Sequence, residues 1–531
     1  AGQRTSPPEP PRMKWLWLAA LTAVVIATRV PYFQQQLFSY DDVNLAYAVG
    51  ELDVRQSQPH PPGYPLFVME MRVLKMLRVK RAESMLQILA VAGSVAAVAV
   101  MIWGFPQWGG VWGAALLAIH PVFWYAGLTS AVRVQLALVS VAVAAACWRA
   151  WEQRPGWDVR SAWIFGLGAG IRPELGLVLL PLWWWTSRRA WKHWLAAVAL
   201  WLVPLLWASG GPIAYVRYTW HYLQDQSRLT SGLFGADTLT WSRIGVWLLV
   251  WILCGVPGWA LAWPLSWRPA ASFPAIPWRF LALWTLPGVA FAFLVHVADP
   301  GQTLAVVAPV CLIGGMILDR ARARLAPQSV PLSIACLTGV AIALLLRDYP
   351  MFVTAWAVPA VALLAGVLIW LQPNSRWLAG GLTLAPAVIV SVLIFGGRGW
   401  YTKGPLEHVA SALAATSFEQ VKQTTDIDDR TIREVRALLQ PGGTIAWERG
   451  ITSWRKLTYY FSGTPVLVLD RKTLDPRSAS IKTLWLGPRQ QTLVPLSPHA
   501  PIVWVRGPHS AQRCPQPEQF VCPGTGREIA W

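Results

Sequence analysis

Residues 15–30 read WLWLAALTAVVIATRV, and residues 39–65 read SYDDVNLAYAVGELDVRQSQPHPPGYP. The first stretch carries no charge before Arg29, and as a helix rising about 1.5 Å per residue it suits the ~30 Å hydrocarbon core of a membrane. The second sets Asp41, Asp42, Glu51 and Asp53 within thirteen residues, in a chain whose first 397 residues hold only fifteen acids. An ionised carboxylate beside hydrocarbon is costly unless a wet cavity receives it, so the cluster reads either as a functional site or as a loop whose acids face water.

Similar apolar runs recur along the 531 residues, of which 55% are hydrophobic and only 13% charged, with a mean hydropathy of +0.40. Continuous runs exclude the alternating pattern of a β-barrel, leaving an α-helical polytopic membrane protein. The thirty-five tryptophans agree, since many flank apolar runs as Trp183, Trp184 and Trp185 do, where interfacial rings anchor helices. The net charge of +19 belongs to loops at the membrane faces and near lipid phosphates. No basic run is interleaved with a nucleic-acid-binding motif, so nucleic acid is not a partner. Cys147, Cys254, Cys311 and Cys336 lie in or beside apolar runs as inert thiols, whereas Cys514 and Cys522 fall in the polar tail.

Hydropathy and charge divide the chain into three parts. Residues 1–14 form a disordered basic leader, residues 15–397 the membrane domain with a first outside loop at 31–83, and residues 398–531 a small extramembrane α/β domain. The last part holds 17 Lys and Arg against 11 acids and β-like runs such as TPVLVLD and APIVWVR. Spans are expected at 15–30, 84–104, 110–128, 132–149, 193–208, 244–264, 280–297, 303–319, 330–346, 351–371 and 377–396, about eleven crossings. A cytoplasmic N-terminus behind Arg4, Arg12 and Lys14 then places residue 41 and the C-terminal domain outside, where a Cys514–Cys522 disulfide can form. Arg320, Arg322 and Arg324 crowd one short loop on the cytoplasmic side of this arrangement.

Three further segments refine the plan. LFVMEMRVLKMLRVKR at 66–81 sets Arg72, Lys75 and Arg78 three residues apart among apolar residues, which suits a helix lying in the membrane interface. IAYVRYTWHYLQDQSR at 213–228 suits a second. GLGAGIRPELGLVLLP at 166–181 breaks at Arg172-Pro173-Glu174 with basic residues on both flanks, which predicts a re-entrant hairpin of two half-helices.

Candidate binding groups follow from these positions. The QPHPPGYP turn is stiffened by proline and aims His60 and Tyr64 at one place, either to bind a ligand or to cap the turn. Arg172 has the fork geometry for phosphate, and its alternative is a local pair with Glu174. Arg133 in SAVRVQ is a second cation, and His296, Asp299 and Gln302 share the short loop VHVADPGQT. Asp41 and Asp42 together can hold a divalent cation, but no closed ligand set accompanies them.

YDDVNLAYAVGELDV with HPPGYPLF after it, HPVFWYAGLTS at the end of the third span, and GLGAGIRPELGLVLLP occur in that order. Together they resemble the integral-membrane glycosyltransferases of the GT-C fold, especially bacterial relatives of protein O-mannosyltransferases and aminoarabinose transferases, over roughly residues 15–320. The resemblance implies a hexosyl or pentosyl transferase of the bacterial inner membrane. Its active site and C-terminal domain would lie on the outer face, with a polyprenyl-phosphate-linked sugar as donor and no required metal. Asp41 matches the first acid of the family's pair and Asp42 the second, where Glu is more usual. Arg133 stands where many relatives carry an acid, which implies an anion-binding face there. His296 falls in a loop that in relatives faces the carrier lipid. Glu51 and Asp53 then read as solvated. A transporter, which also uses broken helices and buried Arg/Glu pairs, and a non-catalytic envelope assembly protein are the alternatives.

Overall fold

A computed structural model describes residues 11–106, 109–231, 233, 241–254, 276–296, 299–324, 387–388, 391, 394–395, 407–447, 453–469, 481–491 and 502–505. The expected spans at 330–346 and 351–371 lie outside the described residues, as do Cys514 and Cys522 and all but a few positions of 377–396.

In chain order the helices are α1 (Pro11–Arg29), α2 (Tyr40–Gly50), α3 (Pro65–Met76), α4 (Ala82–Gly104), α5 (Gly110–Ile119), α6 (Pro121–Thr129), α7 (Ala131–Trp151), α8 (Trp157–Ile171) and α9 (Leu175–Val178). They continue with α10 (Leu180–Ser187), α11 (Trp191–Ala208), α12 (Pro212–Thr230), α13 (Trp241–Leu253), α14 (Trp278–Leu294), α15 (Leu304–Arg324), α16 (Glu407–Ala414), α17 (Phe418–Leu438) and α18 (Trp454–Tyr460). The strands are β1 (Thr444–Trp447), β2 (Pro465–Leu469), β3 (Ile481–Leu486), β4 (Arg489–Gln491) and β5 (Ile502–Val505). Among the described residues five helical stretches are long and apolar enough to cross a membrane: Arg12–Tyr32, Ala82–Gly104, Ala131–Trp151, Leu180–Ala208 and Pro300–Asp319. The chain is thus a polytopic helical membrane protein with a small C-terminal sheet.

Two compact units divide it. The first comprises residues 1–33, 86–203 and 223–420. Its centre is the crossing of α5 with α15, where Gly113 and Gly315 let the backbones meet. A Cβ on Gly315 would stand 2.4 Å from the Gly113 nitrogen. Lipid tails give no hydrophobic drive between helices, so such small residues set the close packing that holds them. Trp284 lies fully buried here, its indole donating to Ser140 Oγ at 2.8 Å.

Two expectations for this unit need correction. The span expected at 110–128 is bent by 57° between α5 and α6. His120 has extended backbone and Pro121 opens the next helix, because a residue before proline is pushed out of the helical region. The span expected at 193–208 is part of a longer stretch, Leu180–Ala208, because only a 3-10 turn, Arg188–Ala190, separates α10 from α11. The break at Arg172-Pro173-Glu174 is present, and α8 and α10 pack together on either side of it.

The second unit joins residues 34–85, 204–222 and 421–531. Its sheet has the order β4-β3-β2-β1-β5, with β1 parallel to β2 and β5 and with β3 antiparallel to both neighbours. The parallel β1–β2 pair needs a crossover, and α18 supplies it. Ile445, Val466, Val468, Val503 and Val505 pack with Leu457 and Phe461 of the crossover segment and with Ile432 and Val435 of α17. Each such burial stabilises by about 1.5–3 kcal/mol.

α3 is shorter than the 66–81 stretch suggested. It ends at Met76, and Arg78 sits at φ +67. Met69, Val73, Met76 and Leu77 form an exposed apolar stripe, consistent with an interfacial position. Arg72 instead turns inward, donating to the carbonyls of Ala48 at 3.0 Å and Val49 at 3.3 Å at the end of α2.

Candidate active site

α2 begins where its sequence says a helix should. Ser39 is the N-cap, accepting from the Asp42 amide at 3.1 Å, while Asp42 Oδ2 accepts the Ser39 amide at 3.0 Å. This capping box satisfies two otherwise orphaned donors. It also explains Asp42, whose side chain is buried and engaged with the helix start. Asp41, one residue earlier, keeps a third of its side chain open. Acids in a first turn complement the positive end of the helix dipole.

The loop that follows is fixed from within. Asp53 caps a 3-10 turn at Val54–Gln56, accepts Arg55 through both oxygens at 2.8 and 2.9 Å, and pairs its backbone with Gln58. Asp53 is therefore buried, not solvated, because a carboxylate with a bidentate guanidinium and backbone donors can leave water. Glu51 is exposed as expected, with Arg489 at 3.2 Å. Tyr215 of α12 donates to the Pro62 carbonyl at 2.7 Å, and Gly63 takes φ +80 with Leu205 packed where a side chain would stand.

That loop delivers His60 to Asp41. His60 Nδ1 lies 3.5 Å from Asp41 Oδ1, at the outer edge of hydrogen-bond distance, while Nε2 and the Tyr64 hydroxyl are 3.0 Å apart. The ring sits edge-on to Tyr64 and is faced by Tyr222 of α12 at 5.4 Å. His60 and Tyr64 are buried, Tyr222 is half-buried, and the open carboxylate of the cluster is Asp41. Sequence reasoning missed Tyr222, whose only signal was the aromatic pattern of 213–228.

The first unit holds a separate polar cluster. Arg133 Nη1 meets Asp299 Oδ1 at 2.5 Å, and Tyr125 donates to Asp299 Oδ2 at 3.1 Å. Asp299 also caps a 3-10 turn with Gln302, whose amide lies 2.5 Å from His296 Nε2. Thr230 closes the set, 2.7 Å from His296 Nδ1. His296, Asp299 and Gln302 of the short loop are thus in contact, and Arg133 is balanced by a carboxylate, so its face carries less positive charge than the sequence implied. Tyr125 and Thr230 were not foreseen.

Arg172 and Glu174 form an ion pair at the α8–α9 break, Arg172 being buried and Glu174 one-fifth open. Among the described residues no group of three or more His, Cys, Asp and Glu is placed to hold a metal ion.

No family model and no curated protein sequence matches this chain. Among solved structures it is similar to the crystal structure of ArnT from Cupriavidus metallidurans bound to undecaprenyl phosphate. The match covers 86% of each chain at 14% identity, with a TM-score of 0.55. The apo state of that protein aligns over 86% of this chain and 85% of its own at 15% identity and a TM-score of 0.47. The apo oligosaccharyltransferase of Archaeoglobus fulgidus aligns over 83% of this chain and 62% of its own at 13% identity and a TM-score of 0.37. Those last two scores are too low to add weight. At such identities the likeness is one of fold, and the chain has the GT-C fold.

Proposed function

We propose that the chain is an inverting membrane glycosyltransferase that moves a sugar from a polyprenyl-phosphate carrier to an acceptor on the outer face of the bacterial inner membrane. The observation that carries this reading is the Asp41–His60 pair: a partly open carboxylate on a capped helix end, backed by an enclosed imidazole. The fold supports it, and so does the undecaprenyl phosphate bound to the similar ArnT, a lipid of the proposed carrier class.

In this reading Asp41 takes the acceptor's hydroxyl or amine proton, or orients that group. The acceptor atom attacks the anomeric carbon as the carbon–oxygen bond to the carrier phosphate breaks, so one displacement inverts the centre. The proton ends on the carboxylate and the electron pair on the leaving phosphate. In the first unit Arg133 and Arg172 are the candidate groups for holding a carrier phosphate. Each already has a carboxylate partner, so binding phosphate would mean sharing or exchanging it. His60 and Tyr64 hold Asp41 and the bound sugar, His296 contacts the carrier, and Asp42 maintains the helix end on which Asp41 sits.

Replacement of Asp41 by Asn tests the assignment. In cells expressing either form at equal membrane level, mass spectrometry of extracted envelope glycans should show the transferred sugar only with the native protein. An unchanged glycan profile with D41N would remove Asp41 from the chemistry.

A further inference from the structure

Arg455, in the first turn of α18, is completely buried. Among the described residues it has no carboxylate partner, and its three nitrogens each donate to an oxygen. Nε reaches Asn44 Oδ1 at 3.0 Å, Nη1 the Pro488 carbonyl at 3.1 Å, and Nη2 the Gln56 carbonyl at 3.1 Å. Tyr47 and Trp485 rings lie 4.9 Å from the guanidinium carbon and Trp454 lies 5.4 Å away. A charge buried without a counter-ion persists only where such acceptors and aromatic faces replace water. The same environment lowers its pKa, desolvation being the main cause.

The oxygens it selects are informative. Asn44 lies one helical turn beyond Asp41 on α2, and Gln56 lies four residues before His60 on the loop. One side chain thus bridges the two segments whose separation sets the Asp41–His60 approach. Neighbouring contacts fasten the same helix face: Tyr47 donates to Thr458 Oγ1 at 3.0 Å, and Tyr40 meets the Trp454 ring at 5.8 Å. Residues 40, 44 and 47 fall on one side of a helix, a face that does not include residue 41. The Tyr460 hydroxyl accepts the Leu37 amide at 2.8 Å and donates to Glu83 Oε1 at 2.8 Å, holding the chain on either side.

We propose that Arg455 is a positioning residue, through which the C-terminal sheet segment sets the orientation of the Asp41-bearing helix against the His60 loop. The catalytic consequence rests on the proposed function, but the positioning itself does not.

The test uses the full chain in lipid nanodiscs with three substitutions, Arg455→Met, Arg455→Lys and Asn44→Leu. Amide hydrogen exchange is followed over residues 40–60, with α5 and α7 as internal references. Arg455→Met should speed exchange at least tenfold at 40–50 and 54–60 while the references stay as in the native chain. Arg455→Lys keeps the charge but replaces the fixed fork with one ammonium, and should fall between. Asn44→Leu, which leaves the arginine in place, should loosen 40–50 alone and serves if Arg455→Met does not fold. Native exchange at 40–50 in Asn44→Leu, or in a folded Arg455→Met, overturns the positioning role. Sugar transfer should fall in parallel while binding of undecaprenyl phosphate, used as the probe, is unchanged. A loosened helix with undiminished transfer overturns the catalytic consequence of that positioning. Undiminished transfer in D41N defeats only the catalytic assignment and leaves the exchange result standing.

Discussion

The Asp41 carboxylate and the His60 imidazole face each other at 3.5 Å, one on a helix start and the other on a buttressed loop nineteen residues later. Neither residue defines the cluster alone. His60 is packed against Tyr64 and Tyr222 and turns its Nδ1 toward Asp41, a third of whose side chain is open.

This arrangement predicts how His60 variants behave. His60→Phe retains a ring against Tyr222 but removes the nitrogen beside Asp41. Transfer should drop by about 10–100-fold, the scale of a misplaced catalytic group. The thermal transition should move little. Kinetics of H60F matching the native enzyme would show that the imidazole only fills space.

A second prediction concerns pH. Among the described residues Glu70 Oε2 on α3 has no hydrogen-bond partner, and burial pushes the Glu70 pKa from the ordinary 4.5 up to about 7. The folded chain therefore holds this proton more tightly than the unfolded chain. The resulting stability is complete below about pH 4.5, declines through the window, and is lost above about pH 7. Thermal unfolding of Glu70→Gln should lack that decline, gaining on the native protein at pH 8 relative to pH 5. Parallel pH profiles would contradict it.

The ion pair at the α8–α9 break gives a third. Removing one partner of a buried pair strands a charge and costs about 3–5 kcal/mol, less here because Glu174 is partly open. Arg172→Met and Glu174→Leu should each lower stability more than the double replacement does. If both singles are harmless and Arg172→Met abolishes undecaprenyl phosphate binding, Arg172 is a ligand group and not a structural one.

Much of the helical plan was legible because long apolar runs report burial in lipid directly, as for α4 and α7. The bend at His120-Pro121 was legible in principle from the proline, but the hydropathy of 110–128 runs through it unbroken. Asp53 was misread because its partners are local backbone groups and Arg55, and a solvated acid would have the same sequence signature. Arg455 was beyond reach of sequence reasoning: WRKLTYY looks like an ordinary polar helix, and its acceptor Asn44 is 411 residues away.

The second unit is assembled from three stretches of chain separated by most of the first. Its earliest stretch carries Asp41, while Arg455 is made 411 residues after its acceptor Asn44. At about 5–20 residues per second, the interval is on the order of tens of seconds. During that time α2 lacks the partner that buries Asn44 and Tyr47, and long-range closure of this kind is slow. The acid-bearing segment of the nascent chain therefore has no settled shape until the segment carrying Arg455 has followed it.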